Sequence, residues 1–450
     1  MYEYEHRDRF YLDNMDKQKI ISFGLNEEDS GYDPEGDNVV YLTNNEIVDN
    51  TFEYYDGITD AQSLTFQNCI SGYIKFTTRY VENSIYGKWL YVQDIIGGDT
   101  ENPIPIGNFI VVTDNVSIDG KIQEIIAYDA LSLLINCPMS GIKNIYNDID
   151  FPVSVRDLRD RLFDEFSIEQ EEVSLINDDI MLPKQLSDED FVPGSDFVKF
   201  IAEINGVFPH IGKDGILHWI SLDTGDINEG ALYPSLSTYP GYALYPGNGY
   251  SGKYVELTKN QYKQGTAIWA NYLTLRPDGV QIRNESNNIA YWHQDGGSDN
   301  PYIIINNFLL YGLSSGQYEQ IAKRLYKKIH AIEYYPFEMI KMADPCIEPG
   351  DRVMVYTEQD TILPSYVFSK HTTGIMVPWE DISTQGTYEL GEYDVNKNAS
   401  TNAKLKNLDN RVGNIEKSGS GPLQIQSVAE LPDNPQLNVL YLIQGTVRVE

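Results

Sequence analysis

The feature that most constrains the fold is a series of short apolar runs that alternate with clusters of glycine, asparagine and aspartate. Four such runs follow one another between residues 71 and 130. They are SGYIKFTTRYV (71–81), KWLYVQDII (88–96), GNFIVVTDNVSI (107–118) and KIQEIIAYDA (121–130). Short apolar runs bounded by turn residues are typical of β-strands, and strands at this spacing indicate an antiparallel barrel or sandwich.

Two amphipathic helices are predicted after these strands, because the apolar spacing changes to three and four residues. The first occupies VSVRDLRDRLFDEF (153–166), where Ser154 stands at the N-cap position. The second occupies SDFVKFIAEING (195–206), with Ser195 as its N-cap and Gly206 just past its end. Together with a hairpin that follows, the helices indicate a small α+β unit.

A second β-rich stretch, residues 252–311, is followed by a long amphipathic helix predicted at 315–333. Its predicted core face consists of Tyr318, Ile321, Leu325, Ile329 and Ile332. The opposite face carries Lys323, Arg324, Lys327 and Lys328. This basic cluster is interpreted as a solvated face that pairs with nearby acids, and the alternative is a phosphate-binding patch.

A tight turn that leads into a strand is predicted in ADPCIEPGDRVMVYTEQD (343–360). Proline presets φ and glycine accepts a positive φ, so a Pro-Gly bend before an apolar run is a strong turn signal. The turn motif consists of Pro345, Glu348, Pro349, Gly350 and Asp351. Its acidic residues are interpreted as turn and strand-start residues.

Residues 233–250, YPSLSTYPGYALYPGNGY, repeat tyrosine and proline. Proline at this frequency excludes both a helix and a central strand. The segment is therefore interpreted as an extended connector between domains, with flexible disorder as the alternative.

A short coiled coil is predicted in the polar sequence that follows Tyr393. Its apolar positions recur at spacings of three and four, and they are Leu405, Leu408, Val412 and Ile415. So short a helix is marginal alone, and we expect it to form where an oligomer brings several copies together. The alternative is an amphipathic linker that packs on its own chain. The strands expected in residues 423–450 are too short to fold unaided.

The chain is strongly acidic, with a formal net charge of −34 over 450 residues. This charge argues against a protein that grips nucleic acid, because phosphates are held by lysine and arginine. Solubility is one explanation of the acidity, and a surface that stays non-adhesive to polyanions is the other. The three cysteines are widely spaced and encode neither a disulfide framework nor a zinc site. Neither a Sec-type signal nor a membrane-spanning run is predicted.

A search for catalytic patterns finds no H-E-x-x-H, G-x-S-x-G or G-x-x-x-x-G-K-[ST] sequence. His210 and His218 flank a predicted hairpin with KDG at its turn, an arrangement that is more often structural than metal-binding. Cys346 and His371 could form a nucleophilic pair, although a cysteine between two prolines is more simply a packed residue. We therefore predict no enzyme activity, no metal and no cofactor.

Three stretches, taken in order, are similar to a known family. They are IGNFIVV followed by IIAYDAL (106–131), NNFLLYG through DPCIEPGDRVMV (306–355), and HTTGIMVPWEDISTQG (371–386). Over about residues 1–395 the chain resembles the bacteriophage tail hub family. This family includes baseplate hub and tail-tip proteins and the N-terminal parts of tail-associated lysins and prophage tail endopeptidases.

The resemblance implies an α+β, mainly β fold in which two hub-type β-barrel domains flank an α+β insert, with a short C-terminal coiled coil. It implies a homotrimer whose ring joins the sixfold tail tube to the threefold tip and forms part of the DNA channel. DNA would pass through the ring during ejection without specific binding. The implied partners are a distal tail protein or tube ring on one rim, a fibre, spike or tip protein at the C-terminal side, and a tape-measure protein in the lumen.

The expected domains are a first hub barrel (1–130), the α+β insert (131–232), a Tyr/Pro-rich connector (233–253), a second hub barrel (254–395), a trimeric coiled coil (396–418) and a small β attachment segment (419–450). The protein is expected in the virion, at the tail tip or baseplate, after assembly in the host cytoplasm. One alternative function is a carbohydrate-binding adhesin, for which tyrosines would supply stacking platforms. The other is a tail-associated cell-wall hydrolase, although the lytic module of such family members has no counterpart in the residues after Lys417.

Overall fold

The computed structural model describes residues 16–24, 39–48, 50–61, 63–81, 84–137, 139–184, 192–222, 254–270, 272–274, 276–284, 289–294, 300–358, 361–386, 424–428 and 439–443. The chain divides into two compact units. One comprises Met1–Asn284 and Ile289–Leu390, and the other comprises Glu285–Asn288 and Gly391–Glu450. Among the described residues no helix is long and apolar enough to cross a membrane.

Strands dominate the described residues, as the alternating runs predict. The first eleven are β1 (Lys17–Gly24), β2 (Val39–Leu42), β3 (Glu53–Gly57), β4 (Tyr73–Thr78), β5 (Trp89–Ile96), β6 (Ile104–Val116), β7 (Gln123–Tyr128), β8 (Val153–Ser154), β9 (Met181–Leu182), β10 (Phe208–Ile211) and β11 (Leu217–Ile220). The others are β12 (Val255–Leu257), β13 (Ile268–Trp269), β14 (Gly279–Asn284), β15 (Ile289–Gln294), β16 (Pro301–Ile305), β17 (Phe337–Met342), β18 (Arg352–Tyr356), β19 (Ile362–Tyr366), β20 (Ser369–Thr373), β21 (Trp379–Thr384), β22 (Gln424–Val428) and β23 (Val439–Ile443).

The helices are α1 (Leu131–Ile135), α2 (Met139–Asn147), α3 (Val155–Glu165), α4 (Gly194–Asn205) and α5 (Ser315–Ile329), with a 3-10 turn at Phe308–Leu310. Ser154 caps α3 as predicted, since its side chain accepts a hydrogen bond from the Asp157 amide at 3.0 Å. The predicted cap of α4 is wrong, because the helix already begins at Gly194 and places Ser195 inside it. Gly206 ends α4 in the left-handed conformation, as the sequence predicts.

Helix α5 begins with a capping box, in which Ser314 and Gln317 satisfy each other's backbone amides. It ends at Ile329 rather than at residue 333, so the predicted helix was one turn too long. All five residues of its predicted core face are buried. On the opposite face Arg324 forms an ion pair with Asp179 at 2.5 Å, which favours the interpretation as a solvated face that pairs with acids.

One open sheet of eleven strands organises the first unit, in the order β13-β17-β21-β20-β3-β4-β7-β6-β5-β1-β2. The described pairings close no sheet into a barrel. These strands therefore do not form the two closed hub-type barrels that the resemblance implied. The junction is the antiparallel pair β3–β20, in which Asp56 lies opposite Lys370. Alternation along a run predicts that a strand forms, but it does not predict which distant strand becomes its partner.

Three apolar cores support this sheet. The first lies under β1–β7, and the second contains the helices with β10, β11, β14 and β16. The third packs the small sheet β12-β18-β19 against β17 and β21. In the second unit, β22 and β23 form a parallel pair. The four residues of the predicted coiled coil and the Tyr/Pro-rich stretch 233–250 lie outside the described residues.

Candidate functional site

Residues 348–351 of the turn motif (345–351) form one wall of a large surface cavity. Gly350 has a φ of +91°, a conformation that glycine adopts without steric cost. Its amide donates to the Val367 carbonyl at 2.7 Å. The Asp351 carboxylate accepts a hydrogen bond from the Glu348 amide at 2.9 Å, and β18 begins at the next residue. The two acidic residues thus have turn-forming contacts within the motif.

The hairpin β10–β11 forms the opposite wall. Its strands pair antiparallel from Phe208 to Ile220, and Gly215 takes a φ of +80° in the turn between them. The ammonium of Lys213 donates to the carbonyl of Pro345 in the turn motif. A Cβ atom added to Gly350 would lie 2.3 Å from Cγ2 of Ile220. The turn and the hairpin therefore approach so closely that only glycine fits at this point.

A cavity of about 780 Å³ lies between these two walls. Four carboxylates line it, from Glu171, Asp214, Glu348 and Asp351. Its remaining lining residues are Tyr91, Pro105, His210, Gly212, Lys213, His218, Trp219, Ile220, Ser221, Pro349 and Gly350. The lining is thus mixed, with polar and apolar surface in about equal parts, and is contributed by the first β-rich stretch, the α+β unit and the turn motif.

His218 is held between two of these carboxylates. Its Nε2 lies 3.0 Å from the Asp214 carboxylate and its Nδ1 lies 3.1 Å from that of Glu171. The hydrogen bond with Asp214 and, after it, that with Glu171 raise the pKa of His218 to about 9 against the opposing effect of burial. The imidazole is therefore charged at neutral pH and binds the hairpin to the loop that carries Glu171.

His210 lies directly opposite His218 in the hairpin, but it has a different partner. Its Nε2 lies 2.7 Å from the carboxylate of Asp56 on β3, and both side chains are buried. Tyr54 donates its hydroxyl to the same carboxylate at 2.8 Å. Burial disfavours the imidazolium, but the charge and hydrogen bond of Asp56 outweigh it and raise the pKa of His210. Burial raises the pKa of Asp56, but the charge and hydrogen bond of His210 outweigh this effect, so the pKa of Asp56 is lowered.

A buried ion cluster lies beside the turn motif. Glu380 on β21 is fully buried and accepts a hydrogen bond from the Lys341 ammonium on β17 at 2.6 Å. The ammonium of Lys370 on β20 is 3.4 Å from the other oxygen of Glu380. Lys370 also donates to the carbonyls of Asp344 and Ile347, at 3.1 Å and 2.9 Å. This cluster fixes the turn motif to three adjacent strands.

The sequence-predicted residues are only partly brought together. The structure places Pro345, Glu348, Pro349, Gly350 and Asp351 beside the hairpin histidines, a proximity that the sequence does not indicate. Within the described part of the chain, no group of three His, Cys, Asp or Glu side chains could hold a metal ion. Cys346 is buried, and His371 pairs with Glu53 at 3.7 Å.

The residues that sequence reasoning missed are the carboxylates that engage the hairpin histidines, namely Asp56, Glu171 and Asp214. In a chain with 67 acidic residues, the sequence contains no signal that separates these three from the rest. Because the ionic groups of the site largely pair with one another, its evident role is to hold distant segments in register.

Comparison with known proteins relates the chain to solved structures only, since no protein-family model and no curated protein sequence matches it. The chain is similar to the tail protein from Neisseria meningitidis MC58, with 11% identity, a TM-score of 0.44 and coverage of 82% of this chain and 98% of that one. It is similar to the 43 kDa tail protein of prophage MuSo2 from Shewanella oneidensis, with 13% identity, a TM-score of 0.43 and coverage of 81% and 97%. It is also similar to prophage tail protein gp18 from Listeria monocytogenes EGD-e, with 12% identity, a TM-score of 0.45 and coverage of 87% and 98%.

Proposed function

We propose that this chain is a structural component of a bacteriophage tail or tail-like particle, located at the tail tip or baseplate. In this proposal three copies form a hub ring that joins the tail tube to the tip, and the ring surrounds part of the DNA channel. The C-terminal residues anchor a fibre, spike or tip protein. The coiled coil at 396–418 continues the threefold axis of the ring.

The observation that carries the proposal is the continuity of the eleven-stranded sheet through the β3–β20 pair. This pair joins the closing hairpin β20–β21 to the strands that contain IGNFIVV and IIAYDAL, so two of the hub-like stretches become parts of one rigid wall. The buried contacts of His210 with Asp56 and of Lys213 with Pro345 fasten the α+β hairpin to the same wall. Such a wall suits a protein whose task is mechanical.

The electrostatics support a channel that lets DNA pass. A net charge of −34 on each copy repels phosphates, as a channel surface that does not adhere to DNA requires. We therefore expect the purified protein to leave the mobility of duplex DNA unchanged at low salt. Retention of DNA at micromolar protein would contradict the proposed channel.

Light scattering of the purified full chain tests the oligomer. The expected mass is about three times the chain mass of 51.2 kDa, and projection images should show a ring with threefold or pseudo-sixfold symmetry. A stable monomer at micromolar concentration would refute the ring. Loss of turbidity when the protein is added to bacterial cell walls would instead support the hydrolase, and specific signals on a glycan array would support the adhesin.

A further inference from the structure

Asp56 lies where three sequence-distant segments of the fold meet. It is on β3, directly opposite Lys370 of β20, and it receives the imidazole of His210 from β10. Only 6% of Asp56 and 5% of His210 are exposed, so water hardly screens the attraction between their charges. The contact is therefore a buried ionic link between the hairpin β10–β11 and the sheet.

A second buried carboxylate, that of Asp129, lies next to this pair. It follows β7 and accepts hydrogen bonds from the Gly72 amide and the Ser71 hydroxyl, both at 2.6 Å, and from the Leu131 amide at 2.9 Å. A Cβ atom added to Gly72 would lie 3.2 Å from an oxygen of Asp129 and 3.8 Å from an oxygen of Asp56. The two carboxylates thus both lie close to the same point of the backbone.

The charged and titratable groups that face this cluster come from every element packed against it. They are Tyr54, Tyr55 and Asp56 of β3, Cys69 before β4, Asp129 after β7, His210 of β10, Glu348 of the turn motif and Lys370 of β20. Lys370 is shared with Glu380 and faces Asp344 as well. The pair Asp56–His210 is neutral as a whole when His210 is protonated, and a neutral Asp129 adds no charge to it.

We propose that the contact between His210 and Asp56, together with the neighbouring Asp129, is a pH-sensitive switch that holds the hairpin β10–β11 to the sheet at mildly acidic pH and loosens it as the pH rises. Loss of the His210 proton and ionisation of Asp129 both add negative charge to the same buried cluster. Because β10–β11 forms a wall of the 780 Å³ cavity, the switch also controls how firmly that wall is held.

The sign of the effect follows from the direction of each titration. Burial raises the pKa of Asp129 from 3.8 to about 7, so its contribution to stability is lost as the pH rises through that interval. The pKa of His210 is raised above 6.5 in the folded chain, so its contribution is present below 6.5 and lost above the raised value. The lowered pKa of Asp56 makes its contribution disappear only in stronger acid. The hairpin is therefore held most firmly near about pH 4 and is held progressively less firmly at each higher pH.

Amide hydrogen exchange of residues 208–220 in the full chain tests this switch between pH 5 and 9, after correction for the intrinsic exchange rates. If opening of the hairpin exposes Asp129, the equilibrium constant for hairpin opening should rise about tenfold per pH unit between pH 5 and 7. His210→Gln keeps a hydrogen-bond donor for Asp56 without a titratable charge. In this variant we expect weaker protection at pH 5 and a rise in opening that comes from Asp129 alone and extends above pH 7, because the charge of His210 no longer lowers the pKa of Asp129.

Two more variants separate the switch from a general effect of pH. Asp129→Asn should make the opening constant nearly independent of pH between 5 and 6.5. His330→Gln removes an exposed imidazole at the end of α5 and should keep the profile of the unsubstituted chain. The switch is overturned if hairpin protection in the unsubstituted chain changes less than twofold from pH 5 to 9. It is also overturned if His210→Gln and His330→Gln give the same profile.

Discussion

Replacing Gly350 with alanine should lower the free energy of unfolding by about 2–5 kcal/mol, as the sum of two separate effects. The first is conformational, because a residue with a Cβ at a φ of +91° costs about 1–2 kcal/mol. The second is steric, because the new Cβ would lie 2.3 Å from Cγ2 of Ile220. Overpacking of this kind costs about 1–3 kcal/mol.

A double-mutant cycle with Ile220→Ala separates these effects. The Cβ atom of Ile220 is 3.6 Å from the added Cβ, which is an ordinary van der Waals distance, so Ile220→Ala removes the clash and leaves the conformational cost. In urea unfolding followed by circular dichroism, the double variant should be more stable than the sum of the single changes predicts, by about 1–3 kcal/mol.

Gly265→Ala is the matched control, because Gly265 has a φ of +82° and a Cβ there would meet nothing within 4 Å. This change should cost only about 1–2 kcal/mol and should show no coupling with Ile220→Ala. If the free energies of Gly350→Ala and Ile220→Ala simply add, the close approach of turn and hairpin does not exist in solution. A coupling as large for Gly265→Ala would show that the cycle reports a general loss of packing.

Two further predictions concern buried carboxylates. Burial raises the pKa of Glu203 from 4.5 to about 8 although Asn307 donates to it, so the folded chain should lose about 2 kcal/mol of stability from pH 6 to 8. Glu203→Gln should remove this loss in urea unfolding at the two pH values, and an unchanged loss would show that Glu203 is already ionised at pH 6. Glu380→Gln removes the carboxylate that the buried ammonium groups of Lys341 and Lys370 share and should cost about 3–5 kcal/mol. A cost below about 1 kcal/mol would mean that water reaches these lysines.

Much of the secondary structure could be predicted, because it depends on neighbours in the sequence. Ser154 and Gly206 act at the ends of helices through contacts with the adjacent turn of backbone. The core face of α5 follows from the helical repeat alone. The predicted start of α4 is two residues too late, since the helix begins at Gly194 after Pro193 and serine is only one of several residues that can precede a helix.

The site could not be predicted in the same way, because its contacts join residues that the chain separates widely. Gly350 was recognised as a turn residue, yet its neighbour Ile220 comes from another segment. The composition shows that the chain is acidic, but it does not show that the carboxylates of Asp56 and Glu171 pair with the histidines of the hairpin. Such pairing depends on which strands become neighbours.

The sequence by itself determined a mainly β chain with amphipathic helices, a tight turn at Gly350 and a strongly acidic surface, since propensity, periodicity and charge are properties of the local sequence. Only the tertiary structure decided that β3 pairs with β20, that one open sheet replaces two closed barrels, and that His210 meets Asp56 beside the turn. The physical reason is that period-two alternation specifies which face of a strand is buried, whereas the choice of a distant partner depends on the packing of the whole chain.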